Sequence, residues 1–404
     1  MSRQPSSQHA TNRQSSTPDA TPHIDLISAS AGSGKTYSLT QDLAASVGYG
    51  AAPEGCMAIT FTNAAAAEIA SRIRRTLLER GEWATAQRVL DGYLGTVHAV
   101  CGGIIEEFAL EAGLSPSLDV VPAAEARLLF NRAIAAIASD EILVERIEGP
   151  ARRMGIEDWR EGVNDIVAEA RSNGLDSDAV RACGPRSWSS MQALYESCGE
   201  LLDGDALDRE FTAELEGAIE AIRESGDETK GTASALFELE TIATTLRSGH
   251  DLKWSDWVRV SKVEPTKKSQ PFVEALKTVA AHHVRHPRLR ADLEAMITGM
   301  FECAARSMEA FARNKADAGL IDFVDQEALA LALLGRDDVR AALAERLATA
   351  YVDEFQDTSP IQLALMLRLA ACARRSVWIG DQKQSIYGFR GADPSLMDAV
   401  IEGL

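Results

Sequence analysis

The 404 residues hold no Cys-x-x-Cys pair and no His-Glu-x-x-His pattern, and the six cysteines (Cys56, Cys101, Cys183, Cys198, Cys303, Cys372) lie far apart. That spacing excludes a zinc ribbon or an iron–sulfur site and leaves separate thiols of the kind that fill a core. There is no apolar h-region at the N-terminus and no run of ~18 uninterrupted apolar residues, so neither a secretory leader nor a membrane span is indicated and the cytoplasm is the expected compartment. Positive charge is also scarce: the net charge of −19 argues against nucleic acid gripped over the whole surface, while leaving room for a local groove. The basic clusters at Arg72, Arg74 and Arg75, at 262–268 and at 282–290 read first as solvated faces. What remains, 46% hydrophobic and 25% charged residues, is an ordinary soluble globular composition, long enough for two or three domains at roughly 150 residues each.

Residues 1–23 are rich in Ser, Thr, Gln and Pro and carry almost no large apolar side chains. Such a segment cannot offset its own ordering entropy and reads as a disordered tail. "HIDLISAS" followed by "KTYSLTQDLAASVG" predicts strand, loop and helix. "CMAITFT" predicts a second buried strand, and "NAAAAEIASRIRRTLLERG" a helix stopped by Gly81. From 119 to 315 the pattern turns almost purely helical, and strand-like runs return only at "ATAYVDEF" and "RSVWIGD". The expected fold is α/β: a parallel sheet flanked by helices, built from 24–118 and 316–404 and interrupted by an all-helical insertion at 119–315.

Three constellations carry chemistry. In "SASAGSGKTY" the small residues Ala29, Ser30, Ala31, Gly32, Ser33 and Gly34 let backbone N–H groups curve around a phosphate, Lys35 supplies a point charge, and the Thr36 hydroxyl can ligate Mg²⁺. Without a ligand the same stretch would be a Gly-rich strand–helix turn. In "YVDEFQDTSPIQ", Asp353 follows an apolar strand, where a carboxylate can bind Mg²⁺, and Glu354 can deprotonate an attacking water. In "VWIGDQKQSIYGFRGAD", Gln384 suits a γ-phosphate contact, while Tyr387, Phe389 and Arg390 offer two aromatic faces and a planar cation for unpaired bases. A bare aromatic pair would more often be core.

With these motifs in order, the chain resembles the ATPase half of superfamily-one DNA helicases of the UvrD/RecB type, in particular the RecB and AddA branch. "SASAGSGKTY", "TFTNAAAAEIASRI", "GTVHAVCGGIIEEFALEAGL", "KADAGLIDFVDQEALALALL", "DEFQDTSPIQ" and "GDQKQSIYGFRGAD" carry the resemblance across 24–404. It implies a RecA-like P-loop NTPase domain in which Lys35, Thr36, Asp353, Glu354 and Gln384 bind and hydrolyse Mg-ATP. It also implies that Thr60, Phe61, Thr62, Asn63, Thr96 and His98 line a track for single-stranded DNA. His98 alone would read as a core histidine. The implied function is ATP-driven 3′-to-5′ translocation on single strands and at single-strand/duplex junctions, in recombinational double-strand-break repair.

The chain departs from the family's pattern in three places. Ala64 stands where the family usually has lysine, and Gln14 sits in "NRQSSTP", unlike the helix that carries the family's adenine-reading glutamine. The second RecA-like domain, with the arginines that complete the ATP site, is expected to lie outside these residues, on a C-terminal half or a nuclease-type partner subunit. Two rivals stay open: an ATP- and DNA-binding module without motor activity in a split complex, and a nucleotide kinase or GTPase, which would share only the first motif.

Overall fold

The computed structural model describes residues 24–28, 35–48, 53–111, 113, 118–137 and 139–381. The expected tail at 1–23 lies outside them. The chain divides into two compact units, one from residues 1–117 with 324–404 and the other from 118–323.

The first unit is built on a parallel sheet. Its strands are β1 (Ile24–Ser28), β2 (Cys56–Thr60), β3 (Tyr93–Thr96), β6 (Thr349–Val352) and β7 (Arg375–Gly380), in the order β1-β7-β6-β2-β3. β2 and β6 are buried along their whole length, which is why both read as continuous apolar runs rather than alternating ones. Helices Lys35–Gly48 and Asn63–Glu79 cover the sheet through Leu39, Leu43, Ile69, Ile73 and Leu77, which pack with Tyr351, Val377 and Ile379. The last three helical positions recur every four residues and form one stripe, each side chain contributing about 1.5–3 kcal/mol by its burial. Trp378, fully buried in β7, meets the ring of Phe355 with centroids 4.7 Å apart.

Strand β3 departs from the sequence reading, which expected no strand between "CMAITFT" and "ATAYVDEF". "YLGT" is four residues long, half-buried and at the sheet edge, so it shows neither a long apolar run nor a clean alternation. The register aligns the carboxyl ends of the strands: Ser28 with Gly380, Thr60 with Thr96, Ile59 with Val352. The motifs that follow these strands therefore leave the sheet from one edge, the edge where open α/β sheets bind ligands.

Among the described residues the second unit is helical apart from the two-residue strands β4 (Asp119–Val120) and β5 (Leu320–Ile321), which pair in parallel. Its spine is a 32-residue helix, Pro287–Ala318, ended by Gly319 in the left-handed conformation. Residues 316–323 stay with this unit because the spine runs on to Ala318 and β5 then pairs with β4. One end of the unit packs Phe211, Trp254, Trp257 and the buried ring of His286 together. Asp292, also buried, accepts hydrogen bonds from Trp254 Nε1 (2.8 Å) and the Arg153 guanidinium. Of the six cysteines, Cys56, Cys101, Cys303 and Cys372 are buried thiols; burial pushes the Cys56 thiol up to about 11.

Candidate functional site

The turn after β6 is built around an unusual backbone. The Asp353 N–H donates to the carbonyl of Ile59 at 2.9 Å, which continues the β2–β6 ladder by one residue. The chain then reverses at Glu354, whose φ of 55° and ψ of 42° place it in the left-handed region, alone among the described non-glycine residues. A side chain with a Cβ pays roughly 1–2 kcal/mol for that conformation, so it persists only where neighbours enforce it. Here the Glu354 N–H donates to Asp353 Oδ1 (3.0 Å), the Asp357 N–H donates to the Glu354 carbonyl (3.0 Å), and Gln356 Nε2 donates to Glu354 Oε2 (2.7 Å). Gln356 is itself buried, and its Oε1 accepts the Asp381 N–H at 2.9 Å. One carboxamide thus ties the Glu354 carboxylate to the first residue past β7. Ser359 closes the turn by capping helix Pro360–Cys372 in a reciprocal box with Gln362.

Next to this turn, two helices begin on adjacent strands. Thr62 caps helix Asn63–Glu79 by accepting the Ala65 N–H (3.2 Å), and Thr96 caps helix Val97–Glu107 by accepting the Ala99 N–H (3.3 Å). A hydroxyl that accepts in a cap still has its proton to donate, and a helix N-terminus favours anions. Phe61 is half-buried, and Thr62 and Asn63 are exposed. Thr60 lies beneath this surface rather than on it: it is 1% exposed and donates its hydroxyl to the Thr62 carbonyl at 3.1 Å. Its role visible here is to hold the cap residue from below. His98, on the first turn of its helix, pairs through Nε2 with Glu327 Oε1 at 3.1 Å.

Lys35 and Thr36 open helix Lys35–Gly48, just after the segment 29–34 that follows β1. Ala29, Ser30, Ala31, Gly32, Ser33 and Gly34 lie outside the described residues, as do Gln384, Tyr387, Phe389 and Arg390. β1 and β7 pair to their last residues, Ser28 beside Gly380.

Sequence reasoning missed Gln356, Gln362 and Glu327. Glu327, 3% exposed, carried a signal: it is a carboxylate set in the apolar run "QEALALALL". The basic segment at 282–290, and Lys268 of the 262–268 cluster, bond to acceptors in their own unit. Arg288 binds Asp208, Arg290 the carbonyls of Tyr195 and Val284, Arg285 the carbonyl of Glu200, and Lys268 that of Ser225. Among the described residues no helix is long and apolar enough to cross a membrane.

A family profile described as the UvrD/REP helicase N-terminal domain matches residues 10–403. Similar curated proteins include an ATP-dependent helicase/nuclease subunit of Latilactobacillus sakei subsp. sakei (strain 23K), 26% identical over 93% of this chain and 48% of that protein. The like-named protein of Desulforudis audaxviator (strain MP104C) is 27% identical over 92% of this chain and 35% of that protein. The chain therefore spans between about a third and a half of the length of these relatives.

Proposed function

Since the chain belongs to the UvrD/REP helicase N-terminal domain family, we propose that it is the ATP-binding lobe of a motor that moves 3′-to-5′ along single-stranded DNA. In this reading it unwinds duplex at single-strand junctions during recombinational break repair in the cytoplasm, as one part of an assembly with further helicase or nuclease parts. The observation that carries the reading is the convergence at one sheet edge of an enforced carboxylate turn and two helix N-termini. The first suits nucleotide hydrolysis, and the second suits a phosphate backbone.

The 29–36 segment would wrap the nucleotide phosphates, with Lys35 as the cation facing them. The donor set fits Mg²⁺, because the Asp353 carboxylate and the Thr36 hydroxyl are both hard oxygen ligands. When bound, the ion would neutralise charge on the phosphates. Glu354 would take the proton of the attacking water, its carboxylate aimed by the Gln356 carboxamide and by its own left-handed backbone. Gln384 would contact the γ-phosphate. The link from Gln356 to Asp381 joins the base to the segment that carries Gln384, Tyr387, Phe389 and Arg390. Phe61 would stack on a base, and Thr62, Asn63, Thr96 and His98 would meet the strand's backbone, with Tyr387 and Phe389 as further stacking faces.

The test is equilibrium binding of Mg-ATP and of oligothymidylate to the purified chain, together with ATP turnover with and without the oligonucleotide. Lys35→Ala should remove nucleotide binding; unchanged affinity would overturn the phosphate-loop assignment. Binding of both ligands with no turnover under any condition would support a passive module instead of a motor lobe.

A further inference from the structure

Glu327 lies on helix Phe323–Leu333, outside both motifs that the proposed function uses, yet it touches residues tied to each. Its Oε1 accepts from Gln362 Nε2 at 2.7 Å and lies 3.1 Å from His98 Nε2. Gln362 in turn accepts the Ser359 N–H through its Oε1 at 3.2 Å, and Ser359 ends the turn that begins at Asp353. A continuous polar chain therefore runs from His98 on the proposed strand track, through one buried carboxylate, to the capping box behind the carboxylate turn. The charge of Glu327 also reaches Cys101, on the same helix as His98: burial raises that thiol first, and Glu327 raises it further.

A buried carboxylate is costly unless its partners satisfy it, so both bonds must be held together or rearranged together. Packed polar networks of this kind have discrete arrangements rather than graded ones. We infer that Glu327 is a positioning residue that couples occupancy of the DNA track at His98 to the geometry of the Asp353–Ser359 turn. It touches neither ligand; it acts through His98 on one side and Gln362 on the other. A strand backbone drawing His98 toward itself would loosen the Glu327 contact, and Gln362 would follow because the same oxygen serves both. The inference rests on the proposed reading of His98 as a track residue.

The experiment measures the Kd of oligothymidylate with and without a non-hydrolysable ATP analogue and Mg²⁺, in the full chain and in Glu327→Gln. Glutamine keeps the volume of glutamate and removes its charge. The ratio of the two Kd values for the unaltered chain should fall within the about 5–150-fold range of coupled sites. In Glu327→Gln it should collapse toward one, with the affinity for the analogue alone unchanged. A merely structural role would alter stability or both affinities without selectively erasing their ratio. Gln362→Ala breaks the relay from the other side and should give the same collapse, which keeps the test decisive if Glu327→Gln fails to fold. A folded variant of either kind that keeps the full ratio overturns the inference. An unaltered chain that binds both ligands with a ratio of one overturns the inference alone, whereas one that binds neither overturns the proposed function with it.

Discussion

Gly380→Ala probes the link between the carboxylate turn and β7 with a single methyl group. A Cβ at position 380 would sit 2.9 Å from Gln356 Oε1 and 3.4 Å from both the Gln356 nitrogen and the Phe355 Cβ. The first distance is closer than carbon and oxygen tolerate, and the other two leave no slack behind it. The carboxamide must therefore retreat by a few tenths of an ångström. Its Oε1 then strains the bond to the Asp381 N–H, and its Nε2 carries the Glu354 carboxylate out of line. Overpacking costs typically about 1–3 kcal/mol and a weakened buried hydrogen bond about 1 kcal/mol, so a loss of about 2 kcal/mol is expected. At roughly 2–4 °C per kcal/mol for a unit of this size, the melting temperature should drop by about 4–8 °C. Turnover should suffer more than stability suggests, because a misplacement of about 1 Å at a catalytic group can cost about 10²-fold; a smaller shift predicts roughly a tenfold fall in kcat. Affinity for Mg-ATP should hold, since Gln356 bonds to the proposed base, Glu354, and lies outside the proposed phosphate loop. Calorimetry and steady-state turnover on one preparation check this. A variant that melts earlier but turns over normally would refute the claim that Gln356 positions Glu354.

Glu354→Gln should keep ATP affinity and abolish hydrolysis in the complete enzyme, because it preserves shape and removes the proposed base; equal loss of binding and turnover would indicate a structural role. Phe61→Ala should weaken oligothymidylate binding by about 1–3 kcal/mol and to the same extent for other single-strand sequences, as read by fluorescence anisotropy. Asp227 in the helical unit accepts hydrogen bonds from the hydroxyls of Thr266, Ser269, Thr229 and Thr232, which hold its carboxyl well below the ordinary value of 3.8. A carboxyl lowered on folding stabilises fully above its unfolded value and loses that contribution as pH falls through its folded value. Asp227→Asn should therefore lower the urea midpoint at neutral pH and leave a smaller difference from the unaltered chain below pH ~3.

Near-continuous burial shows in sequence, and "CMAIT", "TAYV" and "RSVWIG", in which only Arg375 is exposed, were legible for that reason. The short edge strand "YLGT" was not, because its pairing with β2 supplies an order that its own residues do not announce. The carboxylate pair at 353 and 354 was legible from its place after an apolar run. The left-handed backbone of Glu354 was not, since it depends on hydrogen bonds from Gln356 and Asp357 that only the folded turn assembles. The same holds for the burial of Thr60 and for the contact of Glu327 with His98, which joins residues more than two hundred positions apart. The 282–290 arginines read as solvated charge; the sequence did not show that all three, though part-exposed, bond to acceptors within their own unit.

The most direct test of the central claim is an experimental structure of the chain with a non-hydrolysable ATP analogue, Mg²⁺ and oligothymidylate. The phosphates should lie within the 29–36 loop, the ion beside Asp353 and Thr36, and the oligonucleotide across Phe61 and the N-termini capped by Thr62 and Thr96. Density for either ligand at the opposite, amino-terminal edge of the strands, with the carboxyl edge empty, would contradict it.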